Sequence, residues 1–189
     1  MIEVRWHGRG GQGVVTAAEL LASAAVIEGK WAQAFPSFGA ERRGAPVQAY
    51  TRINDKPIFD RSFIYEPDVV VVVDQSLLEA DVRGVLQGIK PNGKLIVNTN
   101  YSPQVLAKKL KYEGEVATVD ATSIAIEVLG RPIVNTAMLG AVIKSIRVVE
   151  LPSVLKVLEA RFKGAIADRN VKALIRAFEN TAMEVVKVD

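Results

Sequence analysis

The sequence predicts an α/β protein: a three-layer α/β/α sandwich on a mixed, mainly parallel sheet, with a glycine loop after the first strand and a helical C-terminal part. Three observations predict it. The segment HGRGGQG at residues 7–13 separates a short alternating run, IEVRW, from a long apolar stretch, VVTAAELLASAAVI. The run VVVVV at 69–73 is the β-branched composition of a central strand buried on both faces. Strand and helix patterns then alternate through the middle of the chain, which is the signature of parallel α/β layers.

The elements follow in order. From Val14 to Ile27 the apolar residues run nearly all round, and Thr16, Glu19 and Ser23 leave one narrow polar stripe. That pattern predicts a helix buried on most sides, closed by Gly29 as a left-handed cap. Residues 30–46, KWAQAFPSFGAERRGAP, read as an irregular loop broken by Gly, Pro and Ser, yet they hold Trp31, Phe35 and Phe38. Large apolar groups on such a loop are expected to meet a partner or fold back. VQAYTRI and IFDRSFI read as a β-hairpin turning at Asn54–Asp55.

After the valine strand, Ser76 and Glu79 have capping-box spacing, and Leu78, Val82, Val85 and Ile89 line one side of the following helix. KLIVNTN is a second buried strand, and Ser102-Pro103 opens a helix with lysines outside. EVATVDA is a third strand, followed by a helix from about Thr122 to Leu129 that Gly130 and Pro132 end. Beyond that only helices are expected, with apolar faces at Leu139, Val142, Ile143 and Ile146, then at Leu155, Leu158 and Phe162, then at Val171, Leu174, Ile175 and Phe178. No repeat or linker marks a second domain, so residues 1–189 are expected to form one.

Composition narrows the function classes. The sequence has no cysteine and one histidine, which excludes disulfides, thiolate zinc sites and cysteine-ligated clusters within this chain. Net charge is +3 with scattered basic residues and 6% aromatics, unlike a nucleic-acid face. No apolar stretch has the length of a membrane span, and MIEVRWHG has no signal-peptide core, so a cytoplasmic location is expected.

The candidate sites concentrate near the N-terminus. Gly8, Gly10 and Gly13 have dinucleotide-fingerprint spacing, and the loop places backbone N–H groups at a helix start, a position that favours anions. The acidic residue that NAD needs about 20 residues on falls at Glu28, a helix end rather than a strand end, so that fingerprint is incomplete. A tight turn with close helix packing is the alternative, although Gly10, Gly11 and Gln12 leave more backbone exposed than a turn requires. Arg42–Arg43 beside Gly44 can clamp a phosphate or carboxylate, or form a solvated pair bridged to Glu41. His7, at the end of the first strand, is expected to be a structural or hydrogen-bonding residue. Asp74 is expected to cap the next helix, and the lysines near 109 to form a solvated face.

GRGGQGV, FPSFGAERRGAPVQAYTRI, EPDVVVVVD and NTAMLGA, in that order over nearly the whole chain, resemble the gamma subunit of the 2-oxoacid:ferredoxin oxidoreductases, the pyruvate enzyme above all. Phe38, where Tyr is common, and Ala45, where Gly is common, depart from the pattern. The resemblance implies one part of a larger enzyme. That enzyme decarboxylates a 2-oxoacid on thiamine diphosphate, passes electrons through iron–sulfur clusters to ferredoxin and releases an acyl-CoA. Thiamine diphosphate and clusters would lie only in partner subunits of alpha, beta and delta type. The gamma chain would pack on them and help form the coenzyme A site, with Gly8, Gly10, Gly11, Gln12, Gly13, Arg42 and Arg43 as the expected cofactor-binding residues and no catalytic residue of its own. A free-standing Rossmann-type nucleotide-binding module is the alternative from the residues alone.

Overall fold

A computed structural model describes residues 1–37 and 43–187. One seven-stranded sheet runs through them in the order β2-β3-β1-β4-β5-β6-β7. The strands are β1 (Ile2–Arg9), β2 (Trp31–Pro36), β3 (Pro46–Asn54), β4 (Val69–Val72), β5 (Lys94–Asn98), β6 (Gly114–Val119) and β7 (Ala182–Val186). β1, β4, β5 and β6 are parallel neighbours; β3 is antiparallel to β1 and β2, and β7 to β6. Five strands therefore share one direction, and the mixed sheet arises at its two ends.

The helices are α1 (Val14–Ile27), α2 (Ser76–Leu86), α3 (Pro103–Leu110), α4 (Ala121–Leu129), α5 (Asn135–Ile146), α6 (Leu151–Arg161) and α7 (Ala165–Asn180). α1, α4, α5, α6 and α7 share one core with Val4, Trp6, Val69, Val71 and Ile96, while α2 and α3 cover Val70, Val72, Leu95 and Val97 on the opposite face. Alternate β4 residues thus feed two cores, the physical reason for its unbroken valine run. Gly29 closes α1 with φ 78°, and the Ser102 hydroxyl accepts from the Val105 N–H at the start of α3.

Several sequence expectations are corrected. Residues 31–36, expected within an irregular loop, form edge strand β2, paired with β3 from Trp31↔Asn54 to Pro36↔Ala49. IFDRSFI is no strand. Residues 55–67 instead form a strap across the sheet, held by side chains: Arg52 donates to the Asp60 carbonyl and Ser62 hydroxyl, and Arg5 to the Ile64 and Tyr65 carbonyls. Of the two outcomes expected for the apolar groups of 30–46, Phe35 shows folding back, with its ring 5.1 Å from Tyr50 and 6.4 Å from Phe63. The C-terminal part is not wholly helical, because β7 adds an edge to β6. α2 ends before Ile89 and breaks at Asp81 (φ −154°, ψ 75°). Its start is capped by Asp74, which accepts from the Ser76 N–H and hydroxyl, rather than by a Ser76–Glu79 box.

Candidate functional site

β1 and β4 lie side by side and parallel, and their exits part: α1 leaves on one face of the sheet and α2 on the other. The strand ends at such a switch point form the ligand crevice of open α/β sheets. The glycine loop occupies it.

Each loop glycine has a distinct reason. Gly8 is buried, and a Cβ there would lie 2.4 Å from Val14 Cγ2 and 3.3 Å from Val73 Cβ, so it lets α1 sit against β4. Gly10 exchanges two backbone hydrogen bonds with the next turn, Gly10 N–H to Ala45 carbonyl at 2.9 Å and Gly44 N–H to Gly10 carbonyl at 3.1 Å. Gly13 is the N-cap of α1 in left-handed conformation, φ 75°, pressed against Asn135 at the start of α5. Gly11, φ 94°, is exposed, and among the described residues a Cβ there would meet only Arg43 Cγ, at 3.8 Å. The Gly10–Gly44 pairing thus carries Arg43 over the loop. Arg42 lies outside the described residues.

Among the described residues no side chain caps α1, and no acidic residue sits in its first turn. The leading N–H groups and their partial positive charge therefore face the loop, over which Arg43 is carried. Gln12 braces the loop from below: its Oε1 accepts from Arg9 N–H at 2.7 Å and its Nε2 donates to Asp74 Oδ2 at 2.7 Å. Arg9 reaches the same carboxylate at 3.4 Å, Ser76 Oγ at 2.8 Å and the Gly44 carbonyl at 3.0 Å. Burial alone would raise the Asp74 pKa, but the bonds from Ser76 and Gln12 and the nearby Arg9 outweigh it and hold the carboxyl below its usual range. Asp74 therefore acts as both helix cap and loop anchor. Sequence reasoning found only the cap, because the anchor spans 62 positions.

His7 is buried and neutral. Desolvation, then the charge of Arg5, push its pKa down to about 3, and Arg5 Nε donates to His7 Nε2 at 3.0 Å. Arg5 donates also to the Val85 and Gln87 carbonyls at the end of α2. The histidine is a hydrogen-bonding residue, as its sequence setting suggested. Among the described residues no group of three His, Asp or Glu side chains is placed to hold a metal ion, and no helix is long and apolar enough to cross a membrane.

The topology bears on the dinucleotide reading. A NAD-type unit needs, beside β1, a parallel strand that brings an acidic residue to the loop. Of the two neighbours of β1, the parallel one, β4, leads to Asp74, whose carboxylate is taken up by Gln12, Ser76 and Arg9. The other, β3, is antiparallel, with its C-terminal end at Asn54 near Ile2, at the far end of β1. Glu28 is equally remote, bonded to the Glu150 N–H and Lys30 at the other end of α1. The acidic residue that the fingerprint puts on the strand after α1 is absent from β2.

The family described as pyruvate ferredoxin/flavodoxin oxidoreductase matches residues 3–180. The chain is 56% identical over 184 residues to the pyruvate/ketoisovalerate oxidoreductases common subunit gamma of Thermococcus kodakarensis, covering 97% of this chain and 98% of that one. It is similar to the crystal structure of a pyruvate oxidoreductase subunit from Thermotoga maritima, with TM-score 0.86, 40% identity and coverage of 96% and 97%. A fold likeness, TM-score 0.74 at 18% identity, extends to the 2-oxoglutarate:ferredoxin oxidoreductase of Magnetococcus marinus, solved with 2-oxoglutarate, coenzyme A and succinyl-CoA; it covers 93% of this chain and 30% of that one.

Proposed function

The chain belongs to the pyruvate ferredoxin/flavodoxin oxidoreductase family as a gamma subunit of the pyruvate type, and from that premise we propose that its glycine loop and Arg43 bind the phosphates of coenzyme A in the assembled enzyme. The carrying observation is the union of an uncapped α1 N-terminus, an open Gly11 and Arg43 in one exposed corner. Backbone N–H groups approach an anion there without a Cβ in the way, and the guanidinium adds a bidentate, charge-assisted contact. The residues fit a diphosphate better than a nicotinamide dinucleotide, because the carboxylate that the parallel neighbour of β1 leads to, Asp74, is already taken by Gln12, Ser76 and Arg9.

In this reading the chain performs no bond-making step. Coenzyme A supplies the thiol that accepts the acyl group, and this chain's residues bind and orient it. Thiamine diphosphate, the iron–sulfur clusters and the ferredoxin contact belong to alpha, beta and delta type subunits, and choice of 2-oxoacid belongs there too. Two supports bear on this. The sequence has no cysteine for a cluster, and the Thermococcus relative is named as a subunit common to pyruvate and ketoisovalerate enzymes. The whole would work in the cytoplasm, and the single chain would be inactive.

The test is Arg43→Ala in the assembled enzyme. A charge-assisted bond contributes about 1.5–3 kcal/mol, so the KM for coenzyme A should rise about ten- to a hundredfold, with kcat at saturation changing much less. Unaltered coenzyme A kinetics would remove Arg43 from the site. Tight NAD binding by the wild type would favour the Rossmann reading.

A further inference from the structure

Among the described residues the sheet ends at β2 and at β7, and the two edges are finished differently. β7 carries Glu184 within it and Lys187 just beyond it, the kind of charge that deters further pairing at a sheet edge. β2 has no charged residue from Trp31 to Pro36. Lys30, just before it, is turned away, its ammonium on Glu28 and on the Val148 carbonyl. An uncharged edge is an open template for another strand.

The β2–β3 register fixes which backbone groups are open. Ser37 N–H donates to the Gln48 carbonyl, so residues 31, 33, 35 and 37 bond inward to β3, and residues 32, 34 and 36 turn their groups outward. Ala32 and Ala34 each present an N–H and a carbonyl, whereas Pro36 has no N–H to present. Lys30 has the same parity, but its N–H is taken by the Ala25 carbonyl at 3.0 Å. This pattern complements itself. With a second β2 laid antiparallel so that Gln33 meets Gln33, Ala32 of each copy faces Ala34 of the other, and both N–H groups of each strand find carbonyls. Pro36 then falls opposite Lys30, so the two positions without a free N–H meet each other.

The side chains agree with that register. Trp31 shares the sheet face of Phe35, and in this pairing each Trp31 lies across from Phe35 of the second copy, in the closer, non-hydrogen-bonded kind of pair. Trp31 is 53% exposed in the single chain, and this pair covers it. On the other face β2 shows only Ala32 and Ala34, which line a groove of about 720 Å³ with α1 and α6. Val26 and Ile27 of α1, 56% and 52% exposed, line the same groove. α1 lies over β2 and β3 alike. With strands about 4.8 Å apart, the α1 helices of two such copies run about 10 Å from each other, a helix packing distance. The charges lining the groove, Glu19 and Arg161, are opposite, so two copies bring no net charge together there. We propose that β2 is the contact between two copies of this chain, which pair about a two-fold axis at Gln33 into one continuous sheet.

The chain has no cysteine, so single cysteines report the register. Gln33→Cys, on the axis, sets two Cα atoms about 4.5 Å apart, within disulfide range. Under mild oxidation the assembled enzyme should then yield a linked pair of this chain, twice 20.5 kDa on a denaturing gel. Ala34→Cys meets Ala32 rather than itself, beyond disulfide reach, and should link about tenfold more slowly or not at all. In sedimentation of the chain alone, Ala34→Pro deletes an outward N–H and leaves the β3 ladder whole. It should raise the dimer dissociation constant about five- to a hundredfold. An unchanged constant overturns the pairing, as does a Gln33→Cys enzyme that forms no linked pair. Linkage as fast through Ala34→Cys overturns the register on which the proposal stands. A disulfide from Gln33→Cys to a different subunit overturns it too, and gives the edge to a strand of that subunit.

Discussion

Gly13 and Gly29 have nearly the same left-handed backbone, φ 75° and 78°, at opposite ends of α1, but only Gly13 has a neighbour in the way. A Cβ at Gly29 meets nothing within 4 Å, whereas one at Gly13 would lie 2.6 Å from Asn135 Nδ2 and 2.9 Å from its Cγ. Asn135 is buried, and its Oδ1 accepts from the Thr136 N–H and hydroxyl, so it cannot swing aside without breaking both bonds. Gly29→Ala should therefore cost about 1–2 kcal/mol, the left-handed penalty alone. Gly13→Ala should add about 1–3 kcal/mol of overpacking. At about 2–4 °C per kcal/mol for a chain of this size, Tm should fall about 4 °C for Gly29→Ala and about 10 °C for Gly13→Ala. Gly11→Ala separates stability from binding: among the described residues its Cβ meets only Arg43 Cγ. It should melt like Gly29→Ala and yet weaken coenzyme A in the assembled enzyme, as Gly29→Ala should not. Thermal unfolding of the three chains beside wild type is the assay. Equal melting of Gly13→Ala and Gly29→Ala would refute the contact argument, since Asn135 would then be yielding freely.

The buried histidine makes stability pH-dependent. Its folded pKa, about 3, lies below the unfolded 6.5, so the unfolded chain binds more protons between those values and stability falls as pH drops through that window. Denaturant unfolding should lose about 3 kcal/mol from this group between pH 7.5 and 4.5, and His7→Gln should lose correspondingly less; parallel profiles would contradict it. Arg5→Met strips hydrogen bonds from four carbonyls, at Ile64, Tyr65, Val85 and Gln87, and should destabilise the chain by about 3–5 kcal/mol in urea. Phe35→Ser should lower Tm of the isolated chain, because the ring packs on Tyr50 and Phe63; an unchanged Tm with lost assembly would instead restore its reading as an interface residue.

What the sequence disclosed was whatever local chemistry decides. The β1–loop–α1 unit follows from a change of period around glycines, β4 from its valines, and the ends of α1 and α3 from Gly29 and Ser102. What it hid was set by distant partners. WAQAFP has weak alternation and sits beside Pro and Gly, so nothing local marks it as a strand; it becomes one because β3 offers an edge. IFDRSFI alternates well but its backbone is taken by Arg5 and Arg52 side chains instead of a ladder. β7 is a short run after a long helix, legible only beside β6. In the site, the glycines and Arg43 were visible as a motif, while the Gln12–Asp74 brace and the Gly13–Asn135 contact join residues far apart in the chain.

On the proposed reading, that brace also gives a fingerprint so near the dinucleotide pattern a different ligand geometry. In a switch-point crevice the space between the two parallel strand ends is where a ligand would descend. Here the Gln12 amide crosses from the loop to Asp74, and Arg9 closes the other side through Ser76 and Gly44, so side chains fill that descent. An anion meeting this loop must stay above it, on the Gly11 and Arg43 side, where the carboxylate of Asp74 is already neutralised by its own partners. Asp74→Asn keeps the shape but weakens the hold on Gln12 and Arg9, and the loop then loses its floor before it loses any ligand contact. Its coenzyme A defect should therefore appear together with a loss of about 1–2 kcal/mol in stability, whereas that of Arg43→Ala, an exposed residue, should come with none.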